Sequence, residues 1–188
     1  MRVIAGTAKS LPLKTIQGSD TRPTTDRIKE TLFNMLQSDI GGCRFLDLFS
    51  GSGAIGIEAL SRGASSAVFV EQAKNAATCI RENLAFTRLE DKAEVMECDV
   101  ITALNRLSGS DVFDIIFMDA PYKQGLEQPV LTHLRNSSLI DDYTIIIIEE
   151  ALDTDLSYIE SIGYHVYKTK NYKTNKHLFL QKKGSVSK

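Results

Sequence analysis

The sequence predicts an α/β protein built on an open, doubly wound, Rossmann-like sheet of seven strands, with an antiparallel C-terminal hairpin and a small N-terminal extension. From residue 43 onward, short apolar runs alternate with segments of helical periodicity, as in successive βα units of a parallel sheet. The last two apolar runs are joined only by residues 171–175, which are too few for a parallel crossover. A length of 188 residues fits one domain.

The individual elements follow from this alternation. The predicted strands are residues 44–48, 66–71, 93–97, 113–118, 143–149, 164–170 and 176–182. The predicted helices between them are residues 53–62, 73–86, 100–107, 126–136 and 154–161, and Gly63 occupies the position where the first of these should end. We expect a single domain with an N-terminal extension over 1–40, a core over 41–183 and a frayed tail over 184–188.

The extension has its own local signals. Residues 1–16 alternate weakly between apolar and polar positions and predict a small β-hairpin. Apolar residues recur at helical spacing over residues 27–37 and predict a helix, with Thr24 or Thr25 as its N-cap.

Composition narrows the class of protein. The chain is 43% hydrophobic and 24% charged, and its longest apolar run has only four residues, against the roughly 20 that cross a bilayer. Because the N-terminus also lacks a signal-peptide pattern, we expect a cytoplasmic protein without a membrane partner. The three cysteines (Cys43, Cys79 and Cys98) and three histidines (His133, His165 and His177) have no spacing typical of a metal site. We therefore predict no metal, buried apolar cysteines and histidines without a catalytic role.

Charge is distributed unevenly along the chain, although its net value is only −2. Residues 1–30 carry 6 Lys/Arg against 3 Asp/Glu, residues 31–163 carry 9 against 21, and residues 164–188 carry 7 against none. Basic ends on an acidic middle favour an anionic partner, such as a nucleic acid, that both termini contact.

A glycine-rich loop between a predicted strand and a predicted helix offers two interpretations. Residues 51–56 read G-x-G-x-x-G, and Glu71 follows twenty residues after Gly51 at the end of the next strand. This spacing matches the dinucleotide fingerprint, in which glycines admit the pyrophosphate and the acid binds the ribose diol. A nicotinamide-dependent oxidoreductase is therefore one hypothesis.

Asp47 separates that hypothesis from a second one. A carboxylate just before the loop would repel a pyrophosphate, whereas it would attract the positively charged S-adenosylmethionine, which has no phosphate. Asp47, the glycines and Glu71 together resemble the first two motifs of class I methyltransferases. That resemblance places the adenine amine near Asp99 and the adenine ring against Val100 or Cys98. The implied cofactor-binding residues are Asp47, Ser50, Gly51, Gly53, Glu71, Asp99 and Val100.

The predicted strand 113–118 runs into Asp119-Ala120-Pro121-Tyr122. This segment resembles the Asp-Pro-Pro-Tyr motif of methyltransferases that modify exocyclic amines of nucleobases. The Asp119 carboxylate and the Ala120 carbonyl can each accept one N–H of the amine, which stabilises the developing positive charge. Tyr122 can stack on the extruded base. Ala120 replaces the first proline of the motif, so the fixed φ at that position is lost, while Pro121 still favours an extended residue before it.

The whole chain resembles the bacterial family that methylates the N2 amine of a guanine in 16S ribosomal RNA. The resemblance rests on residues 1–6, on the T-R-P-T-T-D-R block and its continuation over 21–34, on residues 45–62, and on the target-base motif 119–122. It implies S-adenosylmethionine as the methyl donor and an assembled or partly assembled small ribosomal subunit as the substrate. Residues of the basic N-terminal part are then candidates for phosphate contacts: Arg2, Arg22, Arg27 and Lys29.

Two further alternatives share part of this pattern. A DNA adenine-N6 methyltransferase would use the same tetrapeptide, but 188 residues leave no room for a separate DNA-reading domain beside the sheet. A nucleic-acid-binding domain without catalysis would leave Asp119 without a role. The oxidoreductase hypothesis leaves Asp47 unexplained, and the chain has no Tyr-x-x-x-Lys proton donor.

Overall fold

A computed structural model describes residues 1–16, 26–122 and 124–184. The strands are β1 (Arg44–Leu48), β2 (Ser66–Glu71), β3 (Ala93–Glu97), β4 (Ile115–Met118), β5 (Ile145–Ala151), β6 (Tyr164–Asn171) and β7 (Asn175–Lys182). The helices are α1 (Asp26–Met35), α2 (Ala54–Ser61), α3 (Lys74–Thr87), α4 (Val100–Arg106), α5 (Glu127–Arg135) and α6 (Tyr158–Ser161), with a short 3₁₀ helix over Glu90–Lys92. No helix in the described ranges is long and apolar enough to cross a membrane.

The seven strands form one sheet in the order β3-β2-β1-β4-β5-β7-β6. The first five are parallel, and β7 runs antiparallel to both β5 and β6. The predicted doubly wound sheet with an antiparallel hairpin is therefore confirmed. Strand order reverses between β1 and β4, and the crevice beyond the carboxyl ends of strands at such a switch point is where open α/β sheets bind ligands.

Helices cover both faces of the sheet. One apolar core lies between the sheet and α1, α2, α3 and the N-terminal segment, and it includes Phe45, Phe117 and Phe179. The other lies beneath α4, α5 and α6 and includes Leu46, Ile116 and Leu180. Because successive strand residues alternate between faces, Asp47, Asp119 and Glu149 all project toward the first face. They share that face with Phe45, Phe117 and Ile147 and lie toward the carboxyl ends of β1, β4 and β5.

A buried carboxylate attaches the N-terminal extension to this first face. Glu58 of α2 accepts hydrogen bonds from the backbone nitrogens of Ile4 (2.8 Å) and Ala5 (3.0 Å). Its oxygens also lie 3.1 Å from Lys29 Nζ and 2.7 Å from Arg62 Nε. One side chain thus connects the first residues, α1 and α2. The predicted β-hairpin over 1–16 is reduced to a single bridge between Arg2 and Pro12.

The remaining differences from the predicted elements are small. Most boundaries shift by one or two residues, as the predicted strand 143–149 does when it becomes Ile145–Ala151. The helix predicted over 154–161 is only the single turn Tyr158–Ser161, because Asp155 turns the preceding chain by accepting a hydrogen bond from Ser157 N. Gly63, with φ of 106°, follows the end of α2 as predicted. Thr24, Thr25 and residues 185–188 of the predicted tail lie outside the described residues.

Candidate active site

A cavity of about 460 Å³ opens at the carboxyl edge of the sheet, where strand order reverses. Its size is within the range typical of small-molecule sites. Its walls come from the glycine loop, the ends of β2 and β3, the target-base motif and the start of α5. The lining residues include Gly51, Glu71, Cys98, Asp99, Val100, Asp119 and Pro121. One cavity therefore brings together the predicted cofactor loop and the predicted target-base motif.

The glycine loop is shaped for close approach on both of its sides. Gly51 lines the cavity with φ of +54°, and a Cβ on it would meet no atom within 4 Å. Gly56 lies on the opposite side, where an added Cβ would be 2.3 Å from the Phe69 ring of β2. Phe49, which precedes the loop, also adopts a positive φ of 61° and lines part of the cavity. Such a conformation is unusual for a bulky residue and is typical of functional sites.

Asp47 lies beneath the loop and does not line the cavity. Its carboxylate accepts a hydrogen bond of 2.9 Å from Gly56 N in the first turn of α2, and its part in cofactor binding stays a prediction. The same contact places a carboxyl group at the helix N-terminus where a dinucleotide would need to place its pyrophosphate. Moreover, no lysine or arginine is among the described residues of the cavity wall. Both observations disfavour the oxidoreductase hypothesis.

Burial raises the pKa of Asp47 to about 7, and the negative charge of Glu71 adds to this effect. The folded protein then holds a proton that the unfolded chain releases near pH 4, so this stabilising contribution is lost as pH rises toward 7. From pH 5 to pH 7, we expect the free energy of unfolding of Asp47→Asn to rise by about 2 kcal/mol relative to that of the unmodified protein. Urea unfolding of both proteins at the two pH values measures this difference. A pH-independent difference would contradict the prediction.

The next strand ends supply the remaining cofactor candidates. Glu71 lines the cavity, and its two oxygens accept hydrogen bonds from Gly51 N (2.9 Å) and Ala73 N (2.8 Å). Asp99 also lines the cavity and caps α4 by accepting from Thr102 N at 2.9 Å, which together with the Thr102 hydroxyl lowers its pKa. Val100 lies beside it in the wall. This wall offers both carboxylates and apolar side chains, a combination that fits the hydroxyl and cationic groups and the adenine ring of S-adenosylmethionine.

Two of the predicted cofactor-binding residues lie behind the cavity wall, and the prediction of three buried cysteines needs correction. Ser50 and Gly53 do not line the cavity: the Ser50 hydroxyl donates to Asp47 O at 2.6 Å, and Gly53 packs against Ile80 and Phe69. Both shape the loop from within. Cys98 is half-buried and lines the cavity, so only Cys43 and Cys79 are the buried apolar cysteines that were predicted.

The target-base motif begins where β4 ends. Asp119 and Pro121 line the cavity, Ala120 is buried, and the Tyr122 ring is 42% exposed at its rim. Burial, followed by the charges of Glu149, Asp47 and Glu150, raises the pKa of Asp119 well above its usual range. An acceptor with a raised proton affinity therefore lies beside an exposed aromatic ring.

A buried network supports the motif from β5 and β7, and the sequence did not reveal it. Glu149 Oε2 lies 2.9 Å from His177 Nε2, and Glu149 Oε1 accepts from Asn175 Nδ2 at 2.6 Å. The Tyr122 hydroxyl lies 3.5 Å from Glu149, and the Tyr172 hydroxyl lies 3.1 Å from His177 Nδ1. His177 is thus fully buried within this network, and its lack of a catalytic role stays a prediction. The sequence held one signal for this network, an acid after the apolar run of β5. Glu149 follows Ile148, just as Asp119 follows Met118, and Met118 and Ile148 pair in the sheet.

The predicted RNA-contacting residues fall into different environments. Lys29 is fully buried and paired with Glu58, so its prediction as a phosphate contact is wrong; its methylene groups belong to the core and its charge is neutralised there. Arg2 is exposed but 3.3 Å from Asp26. Arg27 is exposed in the first turn of α1. Arg22 lies outside the described residues. Among those described, no three His, Cys, Asp or Glu residues are grouped to hold a metal ion.

Comparison with known proteins agrees with this geometry. The family profile described as "Conserved hypothetical protein 95" matches residues 1–181. A Bacillus subtilis protein assigned provisionally as an rRNA methyltransferase, YlbH, is 38% identical over 87% of this chain and 88% of its own. Ribosomal RNA small subunit methyltransferase D of Haemophilus influenzae is 33% identical over 83% of this chain and 81% of its own.

Solved structures show the same fold. A provisionally assigned methyltransferase from Escherichia coli, yhhF, superposes with a TM-score of 0.86 at 29% identity and covers 98% of this chain and 99% of its own. The structure of SMU.776, which is complexed with SAH, superposes with a TM-score of 0.64 over 81% of this chain and 49% of its own. At 16% identity the second match shows the fold alone.

The fold, the cavity and these matches define a class I methyltransferase, the class whose methyl donor is S-adenosylmethionine. Within that class, the chain belongs to the "Conserved hypothetical protein 95" family, whose profile spans nearly its entire length. The oxidoreductase interpretation of the glycine loop is thereby set aside.

Proposed function

We propose that this protein transfers a methyl group from S-adenosylmethionine to the exocyclic N2 amine of a guanine in 16S ribosomal RNA, acting in the cytoplasm on an assembled or partly assembled small subunit. One observation carries the proposal: Asp119 and Pro121 of the target-base motif line the same cavity as Gly51 and Glu71 of the cofactor loop. The names of the similar proteins, which refer to rRNA and to the small ribosomal subunit, support RNA as the substrate.

Each group in the cavity has a distinct role in this proposal. Glu71 binds the ribose hydroxyls, Gly51 admits the amino-acid part of the cofactor, and Asp99 and Val100 contact the adenine. Asp47 acts indirectly, by holding the first turn of α2. When bound, S-adenosylmethionine supplies an electrophilic methyl group on a positively charged sulfur.

The target-base motif prepares the nucleophile. The lone pair of a guanine N2 amine is delocalised into the ring, which makes the amine a poor nucleophile. Asp119 and the Ala120 carbonyl accept its two N–H groups and stabilise the positive charge that develops on nitrogen as the N–C bond forms. The raised pKa of Asp119 suits it to receive the proton that the nitrogen must then release. Tyr122 stacks on the base and holds it in line for transfer.

The N-terminal extension completes the RNA-binding role in this proposal. Arg2 and Arg27 are exposed on it and contact phosphates, and Arg22 belongs to the same basic stretch. Such contacts position an RNA without specifying its sequence.

The direct test is transfer of a labelled methyl group to small ribosomal subunits from a strain that lacks the endogenous enzyme, followed by nucleoside analysis. We expect the label in N2-methylguanosine. Label on adenine N6 would show that the target atom is a different one. If no label reaches ribosomal RNA, ribosomal RNA is not the substrate.

Cofactor binding provides a separate prediction. We expect Glu71→Ala to weaken S-adenosylmethionine binding by roughly 10- to 150-fold, because a charge-assisted hydrogen bond contributes about 1.5–3 kcal/mol. Glu97→Ala is the matched control: Glu97 ends the neighbouring strand in register with Glu71 but does not line the cavity. Isothermal titration measures both affinities. Equal affinities of the two variants for S-adenosylmethionine would show that Glu71 does not bind the cofactor.

A further inference from the structure

The C-terminal hairpin carries a concentration of positive charge: residues 164–182 contain five lysines and no acidic residue. Its outer strand, β6, is the edge of the sheet, and most of its residues are exposed. The turn between β6 and β7 reaches the carboxyl edge, since Asn175 at the start of β7 pairs with Ala151 at the end of β5. The tip of the hairpin and the active-site cavity therefore lie at the same edge of the sheet.

Three side chains of this hairpin share the sheet face on which Asp119 lies. Lys168 pairs with Phe179, and its ammonium is 5.5 Å from the centre of that ring. Lys170 pairs with His177, and directly paired residues of neighbouring strands project to the same face. The Tyr172 ring is 4.9 Å from the His177 ring, which in turn is 6.0 Å from the ring of Phe117.

These residues thus form a row that leads toward the site. Lys168, Lys170, Tyr172 and the adjacent exposed Lys173 are named here the hairpin face. From Tyr172, contacts continue through His177 and Glu149 to the Tyr122 hydroxyl of the target-base motif.

The positive charges of the hairpin face are not neutralised within the described chain. None of its three lysines is in an ion pair there, whereas Lys183 is 3.5 Å from Glu160. Lys176, on the neighbouring strand, donates to the carbonyls of Leu152 and Thr154. Ammonium groups without an ion-pair partner along an exposed row have the charge to contact the phosphates of a nucleic-acid backbone.

We propose that the hairpin face binds the RNA backbone next to the target nucleotide and so presents that nucleotide to Tyr122 and Asp119. This inference rests on the proposed RNA methyltransferase function. It adds a second contact region to the N-terminal extension, on the two strands that follow β5 in the sheet order. The alternative role of these lysines is to prevent edge-to-edge pairing of β6, which needs no RNA.

The test is a triple variant, Lys168→Gln, Lys170→Gln and Lys173→Gln. The matched control removes three positive charges at the opposite, amino edge of the sheet: Arg88→Gln, Lys92→Gln and Arg106→Gln. Those three residues are exposed and outside the cavity wall. Both proteins are compared with the unmodified chain in binding 16S rRNA across a salt series and in methyl transfer to small ribosomal subunits.

We expect the hairpin variant to lower the slope of log K against log salt by about 2, because each lost phosphate contact lowers it by about 0.7–0.9. Its KM for subunits should rise at least tenfold, while kcat and S-adenosylmethionine affinity stay within twofold. The control should stay within twofold in every measurement. Equal behaviour of the two variants would overturn the proposal and leave the lysines as edge protection. If the unmodified chain transfers no methyl group to rRNA, the proposed function itself fails, and the hairpin proposal fails with it.

Discussion

Asp119→Ala is expected to abolish methyl transfer to ribosomal RNA while S-adenosylmethionine still binds. The carboxylate acts on the nucleophile. Its removal leaves the positive charge that develops on nitrogen without a neighbouring negative charge. Asp119→Asn should retain a trace of activity, because its amide oxygen still accepts one N–H but carries no negative charge. Loss of a single preorganised electrostatic group typically lowers kcat by about 10²–10³. Labelled transfer to small subunits measures the activity, and isothermal titration measures cofactor affinity.

The control for this variant is Asp111→Ala, which removes an almost fully exposed carboxylate close to the amino end of β4. We expect it to retain full activity. Removal of Asp119 also relieves repulsion among the buried acids near the site, so the variant should be at least as stable as the unmodified protein. Full activity in Asp119→Ala would refute the proposed catalytic role. Equal loss of activity and of cofactor binding would assign Asp119 to the cofactor instead.

The sheet could be predicted because its local signals agree with the tertiary structure. Buried parallel strands appear as continuous apolar runs, and the short link over 171–175 permits only an antiparallel pairing. The one clearly overestimated helix, α6, lies in a polar segment where a single buried residue, Ile159, anchors one turn. Periodicity alone cannot show how much of such a segment packs against the core.

The candidate site was only partly predictable. Asp119 was found because it follows an apolar strand inside a short motif, and Glu71 because of its spacing from Gly51. Glu149 and His177 belong to strands that are distant in sequence and meet only through the β5–β7 register. Asp47 was identified as an acid close to the glycine loop, but its position below the loop depends on a hydrogen bond from Gly56 N that the sequence does not show.

Lys29 shows most clearly that burial of a charged side chain could not be predicted from the sequence. A lysine on a basic segment is usually solvated, and only the structure reveals Glu58 as its buried partner. Burial lowers the pKa of Lys29, and the neighbouring Glu58 carboxylate opposes that shift. Lys29 Nζ also donates to Arg2 O at 2.6 Å, so the charge is held by two acceptors between the extension and the core. Its role is to fix the extension on which the exposed Arg2 and Arg27 lie.

Glu58→Ala is therefore expected to lower the free energy of unfolding by about 3–5 kcal/mol, because it leaves the Lys29 charge buried without its partner. It also removes the acceptor for Ile4 N and Ala5 N. Glu82→Ala is the matched control: its pair with Lys14 also joins the extension to the core, at 2.9 Å, but both side chains are exposed. That variant should lose less than about 1 kcal/mol. Urea unfolding measures both.

A second substitution separates the buried charge from the lost backbone contacts. If the unpaired ammonium is the main cost of Glu58→Ala, adding Lys29→Met should recover part of the stability, since an apolar side chain of similar length tolerates the site better than an uncompensated charge. The recovery should be larger at pH 6 than at pH 9, because Lys29, with its lowered pKa, loses its charge more readily as pH rises. Similar losses in Glu58→Ala and Glu82→Ala, or no recovery on adding Lys29→Met at either pH, would show that the buried pair does not hold the extension in place.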